Sequence, residues 1–149
     1  MPNGKTVNFR ADTLREVEKI LGTSFEPVFL ERRGYSAFES AAGDIGLVCI
    51  ISKEYKYRLD QYWFSFHPYQ KKLLDGYESG FVALGCGSPK KTILIPMADL
   101  FESLAKVRKR ESGEMEYWFL QIANNAGKYL LQTKSGFEPI NMTKYLKLK

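Results

Sequence analysis

The chain contains a single histidine, His67, so any acid–base catalysis through an imidazole has to be built around that residue. A Ser-His-Asp triad would use it, but the chain has no G-x-S-x-G elbow. A Cys-His pair would need Cys49 or Cys86 on a neighbouring strand, so that a thiolate could attack while the imidazole takes the proton. Both cysteines lie in apolar runs, LVCII and ALGCG, with no Cys or His neighbour at metal-ligand spacing. They read as buried free thiols, bridged only if their strands are adjacent. The carboxylates able to meet a metal are Glu16 and Glu18 on a predicted helix, Glu31 and Glu39 on an extended segment, and Asp44 at the mouth of an apolar run. Asp44 is the best single candidate for a metal or a buried polar bond. The preferred reading makes it a turn aspartate that accepts from nearby N–H groups.

Two further stretches invite chemistry. GCGSPKK, residues 85–91, has the glycines and lysines of a phosphate loop. It lacks the G-x-x-x-x-G-K-[ST] spacing and leads into a strand pattern, so it reads as a hairpin turn. QYWFSFHP, residues 61–68, places Tyr62, Phe64 and Phe66 on one face of a strand and Trp63, Ser65 and His67 on the other. The first set belongs in a core, and the mixed second face is the one that could open to a ligand. Tyr35, Tyr55, Tyr57, Tyr62, Trp63 and Tyr69 lie near basic residues, the make-up of a surface on which bases stack. EYWFLQI, residues 116–122, echoes the YWF triplet, but its flanks differ, so no duplication is inferred.

These residues need a scaffold, and periodicity supplies one. Leu14, Val17, Ile20 and Leu21 make a helical stripe over residues 12–21, with Asp12 as N-cap and Gly22 as stop. Residues 26–40 read as extended, with a break at Gly34. DIGLVCIIS is apolar throughout and reads as a strand buried on both faces. KEYKYRLD is a charged turn, and QYWFSFH the next strand. Pro68 opens a helix with Leu73, Leu74 and Tyr77 inward. FVALGC and TILIP are strands. MADLFESLAKVRKR is an amphipathic helix on Met97, Leu100, Phe101, Leu104 and Val107. EYWFLQIA and KYLLQT flank NNAG as a hairpin. The expectation is one α/β or α+β domain over residues 1–149, with a mixed sheet of about five to seven strands flanked by three helices, and a flexible basic tail from about residue 138.

This order of elements over about residues 12–101, and the stretch FVALGC…KTILIPMADLFESL, resembles the restriction-endonuclease-like, or PD-(D/E)xK, superfamily. The resemblance implies an acid on one strand and (D/E)-x-K on the next. Two carboxylates would then hold a divalent metal while the lysine positions the attacking water. In one register Asp44 is the first acid, and Ser65 and His67 stand at the acid and lysine positions. In the other, Glu39 is the first acid, followed by Ile51 and Lys53. Neither set is complete, so the resemblance implies a degenerate, binding-only relative serving a larger defence or mobile-element system.

The bulk properties agree with binding. With 149 residues, 44% hydrophobic and 14% aromatic, the chain folds with a sizeable core. The net charge is +5 and the pI about 9.1. Lys53, Lys56 and Arg58 form one basic cluster, Lys90 and Lys91 a second, and Lys106, Arg108, Lys109 and Arg110 a third at a predicted helix end. Lys128, Lys134, Lys144, Lys147 and Lys149 face only Glu138 near the C-terminus. Such clusters track phosphates. The expected function is DNA binding, DNA before RNA, through the first three clusters and the tail, with no cofactor required. One alternative is a metal-dependent DNA nuclease with Mg or Mn, using Asp44, Lys53 and one or two of Glu31, Glu39 and His67, with Asp44 and Glu39 as the metal ligands. The other is a non-catalytic protein-interaction or assembly domain, such as a homodimer. No run is long and apolar enough to span a membrane, and MPNGKTVNFRAD has no signal-peptide core, so a cytoplasmic protein is expected.

Overall fold

Two kinds of apolar pattern, continuous and alternating, build two different sheets. The computed structural model describes residues 9–28, 36–56, 59–113 and 115–147. In chain order the elements are α1 (Arg10–Leu21), β1 (Phe25–Pro27), β2 (Ala37–Ser40), β3 (Ile45–Ser52), β4 (Tyr55–Lys56), β5 (Asp60–Phe66), α2 (Pro68–Asp75), β6 (Ser79–Cys86), β7 (Thr92–Pro96), α3 (Met97–Leu104), β8 (Lys109–Ser112), β9 (Met115–Asn125), β10 (Lys128–Leu131), β11 (Ile140–Asn141), a 3-10 turn (Thr143–Tyr145) and β12 (Leu146–Lys147). The first sheet runs β1-β2-β3-β6-β7-β12. It is mixed, since β3 and β6 pair in parallel and the other pairs are antiparallel. The second runs β11-β10-β9-β5-β4, with β8 also on β9, and is antiparallel throughout.

A parallel pair needs a long crossover. Here the crossover from β3 to β6 carries β4, β5 and α2, and so delivers two strands to the second sheet. The α+β class, the three helices and the mixed sheet are as read from the sequence. The strands that sequence reading placed in one layer divide into two. Val48, Val82, Leu84, Ile93 and Ile95 of the first sheet pack with Tyr62, Phe64, Phe66, Leu120 and Ile122 of the second. On the other side of the first sheet, Val17 of α1 packs with Phe38, Leu47, Cys49, Ala83 and Leu94. β3 is therefore covered on both faces, which is why its sequence does not alternate.

Several local expectations change. α1 begins at Arg10 behind Phe9, and Asp12 sits in the first turn, paired with Arg15, instead of capping. Gly22 does stop the helix, at φ 72°. α3 ends at Leu104, because the N–H groups of Lys106 and Val107 turn back to Ser103 and Leu104 and carry Val107 into the core at 2% exposure. Lys109 and Arg110 consequently lie on a strand, not at a helix end. Phe101, expected on the apolar face of α3, is 56% exposed. The tail is not a free arm: Met142 is buried, and β11 and β12 join the edges of the two different sheets.

One close approach sets the spacing of α2. The Tyr77 ring lies against Gly46 of β3, and its hydroxyl donates to Glu39 Oε1 at 2.8 Å. A Cβ at position 46 would come within 2.8 Å of Tyr77 Cγ. Gly46→Ala is therefore expected to lower the unfolding free energy by about 1–3 kcal/mol through overpacking, measured by urea denaturation.

Candidate nucleic-acid interface

The pleat of β5 decides which side chains stay accessible. Tyr62, Phe64 and Phe66 point into the sandwich at 0%, 2% and 0% exposure, so Gln61, Trp63 and Ser65 must point out. On the neighbouring strands Tyr55 stands opposite Gln61, Gln121 opposite Trp63, and Phe119 opposite Ser65. The two YWF triplets are thus used in opposite phase. In β5 the tryptophan faces out, whereas in β9 Tyr117 and Phe119 face out and Trp118 packs on the core.

These residues form a column across the sheet. The Tyr55 and Trp63 rings stack at 4.0 Å and 15°. Phe119 follows at 6.2 Å from Trp63, tilted by 60°. A cation stands at each end: Lys53 Nζ is 5.3 Å from the Tyr55 centroid, and Arg110 Cζ is 3.9 Å from that of Phe119. His67 extends the aromatic surface, its ring 5.1 Å from Tyr69 and 5.4 Å from Tyr117. Below the column, Gln61 Oε1 accepts from Trp63 Nε1 at 3.2 Å and from Gln121 Nε2 at 2.6 Å, tying β5 to β9.

The column is anchored to the first sheet. Ser52 Oγ, at the end of β3, accepts the Trp63 N–H at 2.9 Å. Glu54 Oε1 accepts the hydroxyl of buried Tyr62 at 2.9 Å. Lys56 lies beside Glu54 at 2.5 Å and holds that carboxyl below its usual range, with the Tyr62 bond adding to the effect. Lys90 and Lys91 occupy the β6–β7 turn at the same end of the first sheet as Lys53, where the Gly87 N–H donates to the Ser52 carbonyl at 2.8 Å. Arg108 lines a cleft of about 120 Å³ beside Phe119, with Gln121, Gln132 and Thr133. Lys109 lies 5.0 Å from the Trp118 ring and 3.4 Å from Glu116. Arg58, Glu31, Tyr35 and Tyr57 fall outside the described residues.

The proposed nuclease set does not assemble. Asp44 and Lys53 flank the eight residues of β3, which separates them by about 30 Å at roughly 3.3 Å per residue. Asp44 instead accepts from Ser40 Oγ at 2.8 Å, and that hydroxyl accepts the Ile45 N–H, so the aspartate closes a turn. Glu39 is held by Tyr77. β5 does not neighbour β3 in a sheet, so Ser65 and His67 do not stand beside Asp44 as a catalytic pair on the next strand would. His67 enters α2, its N–H donating to Gln70 Oε1 at 2.8 Å. Among the described residues, no group of three or more His, Cys, Asp and Glu side chains could hold a metal.

No family model, no curated protein and no solved structure matches this chain. No helix among the described residues is long and apolar enough to cross a membrane.

Gln61, Gln121, Gln132, Tyr117 and Phe119 were not singled out from the sequence. The phase of EYWFLQI held the signal, because Leu120 and Ile122 in the core put Phe119 and Gln121 outside. The cysteines sit on adjacent strands but do not pair. Cys49 lies opposite Ala83, and Cys86 lies opposite Ser52, three residues along and on the other face. Burial pushes the Cys49 thiol up to about 12, and Cys86 higher still. Both should resist a disulfide-exchange reagent at neutral pH in the native protein and react fully once it is unfolded in guanidinium.

The same burial ties stability to pH. The Tyr77 and Tyr145 hydroxyls are raised to about 12, by burial first and then by donation to Glu39 and Asp99. With Cys49, Cys86 and Tyr62 also raised, these groups hold their protons more tightly folded than unfolded. Their contribution is complete below the ordinary thiol value of 9.0 and is lost as pH rises through the folded values. The urea midpoint should accordingly hold up to pH 9 and fall between pH 9 and 12.

Proposed function

We propose that this chain is a non-catalytic nucleic-acid-binding domain, and that the outer face of its second sheet takes single-stranded DNA. The aromatic column Tyr55, Trp63, Phe119, with Lys53 at one end and Arg110 at the other, is the observation that carries the reading. Aromatic faces on an uncovered sheet accept bases that have left a duplex stack, each worth about 1–3 kcal/mol. The guanidinium of Arg110 adds a second planar surface of the kind bases stack on. Lys53 and Arg110 flank the column, Lys90 and Lys91 lie in the β6–β7 turn at the Lys53 end of the first sheet, and these four cations supply phosphate contacts, in keeping with the net charge of +5. Cleavage has no comparable support, since Asp44 and Lys53 stand at opposite ends of β3.

Fluorescence anisotropy with a labelled oligothymidine tests the reading. Binding should be tighter to the single strand than to a duplex. If three or four of these cations contact phosphates, log K should fall against log salt with a slope of about −2 to −3. Trp63→Ala should weaken binding roughly fivefold to hundredfold, with circular dichroism unchanged. No detectable affinity for either form of DNA at low salt would overturn the proposal.

A further inference from the structure

β9 is longer than any strand beside it, and one of its edges is shared. β5 occupies one edge over residues 118–124. β8 and β10 both occupy the other, β8 along residues 115–118 and β10 along 122–125. They leave a gap beside the middle of β9. The Phe119 N–H donates to the Arg108 carbonyl at 2.9 Å, the Gln132 N–H to the Gln121 carbonyl at 2.8 Å, and the Lys134 N–H to the Lys106 carbonyl at 2.8 Å. These bonds tie the flanking segments to β9 and to each other without closing the gap, and the cleft of about 120 Å³ lies there. Drug-sized sites run to roughly 300–1,000 Å³, so this cleft suits one planar ring, and it adjoins the aromatic column through Phe119.

Its hydrogen-bonding capacity can be assigned. Trp63 Nε1 can only donate, so the Gln61 atom it meets is an oxygen, and Gln121 must turn its Nε2 toward that same atom. Gln132 Nε2 donates to the Leu130 carbonyl at 3.1 Å. The amide oxygens of Gln121 and Gln132 therefore remain as acceptors with no donor among the described residues. Thr133 Oγ1 spends its proton on the Phe137 and Glu138 carbonyls. Arg108 has no side-chain partner among the described residues, and its guanidinium fork is the free donor.

Two acceptor side chains and a donor fork that line one cleft can select among the bases. Guanine carries adjacent donors, N1–H and N2–H₂, together with the O6 and N7 acceptors that an arginine reads bidentately. Thymine and uracil offer one ring N–H between two carbonyls, and adenine and cytosine one exocyclic amine each. We infer that the cleft between β8 and β10 is a specificity pocket for an unstacked guanine, read by Arg108, Gln121 and Gln132. The inference rests on the nucleic-acid reading and names the base that reading leaves open.

The probes are an oligothymidine and the same strand with one internal guanine, compared by anisotropy at one low salt concentration. The guanine strand should bind about tenfold tighter. Arg108→Lys keeps the charge but loses the fork, and Gln132→Leu removes one acceptor. Each should abolish the preference while leaving oligothymidine affinity within about twofold. Trp63→Ala should weaken both strands alike, and unchanged melting temperatures would show that the variants fold. Equal binding of the two strands, or a preference that survives both pocket variants, overturns the pocket and leaves the nucleic-acid reading standing. Absence of binding to any strand overturns both.

Discussion

The outer face of the second sheet exists because its inner face must be buried. Tyr62, Phe64, Phe66, Leu120 and Ile122 meet the first sheet with at most 2% of their surface exposed. At about 25 cal/mol for each Å² of apolar surface removed from water, residues of this size dominate the folding free energy of the sandwich. A strand has a side-chain period of two, so burying one set presents the other. Trp63, Phe119, Gln61 and Gln121 are outside as a consequence of what is inside. A shift of either strand by a single residue would bury the column and expose the core.

That register is held from several directions. The chain leaves β3 at Ser52 and enters β4 at Tyr55, and within that short passage Ser52 Oγ takes the Trp63 N–H while Glu54 takes the Tyr62 hydroxyl. Consecutive residues of β5 are thus tied to one turn, Tyr62 through its hydroxyl and Trp63 through its backbone N–H. The β9–β10 hairpin fixes its own register with a two-residue turn at Ala126 and Gly127, φ 53° and 89°, the left-handed geometry that matches strand twist. The C-terminal segment stitches the layers together through β11 on one sheet and β12 on the other. Tyr145 bonds Asp99 of α3 at 2.7 Å. The cations of the column gather on a scaffold whose geometry is already set by apolar packing and backbone pairing.

Much of this scaffold could be read in advance, and the failures share a cause. The dry run of β3, the alternation of β5, Pro68 opening α2 and the turn at NNAG are local patterns, and each is found where it was read. The end of α3 was misplaced because its stop is a tertiary event, the burial of Val107, with no glycine or proline to announce it. Lys109 and Arg110 moved with it from a helix end to a strand. Asp44 and Lys53 were grouped in one candidate nuclease site and are separated by the full length of β3. Linear spacing gives the face on which a side chain lies, but not which strand becomes its neighbour.

The sequence by itself determined the α+β class, the strand that is dry on both faces, and the outward placement of Trp63 and Ser65. Each follows from the periodicity of a short segment, and periodicity is a local property of the backbone. Only the tertiary structure decided that the strands form two sheets, that β4, β5, β9 and β8 lie side by side, and that Lys53 and Arg110 bracket one aromatic column. It also decided that β8 and β10 share an edge of β9 and leave a cleft between them. Those outcomes depend on pairing between segments far apart in the chain. Such pairing is chosen by the burial of whole faces against each other, a quantity that no single segment contains.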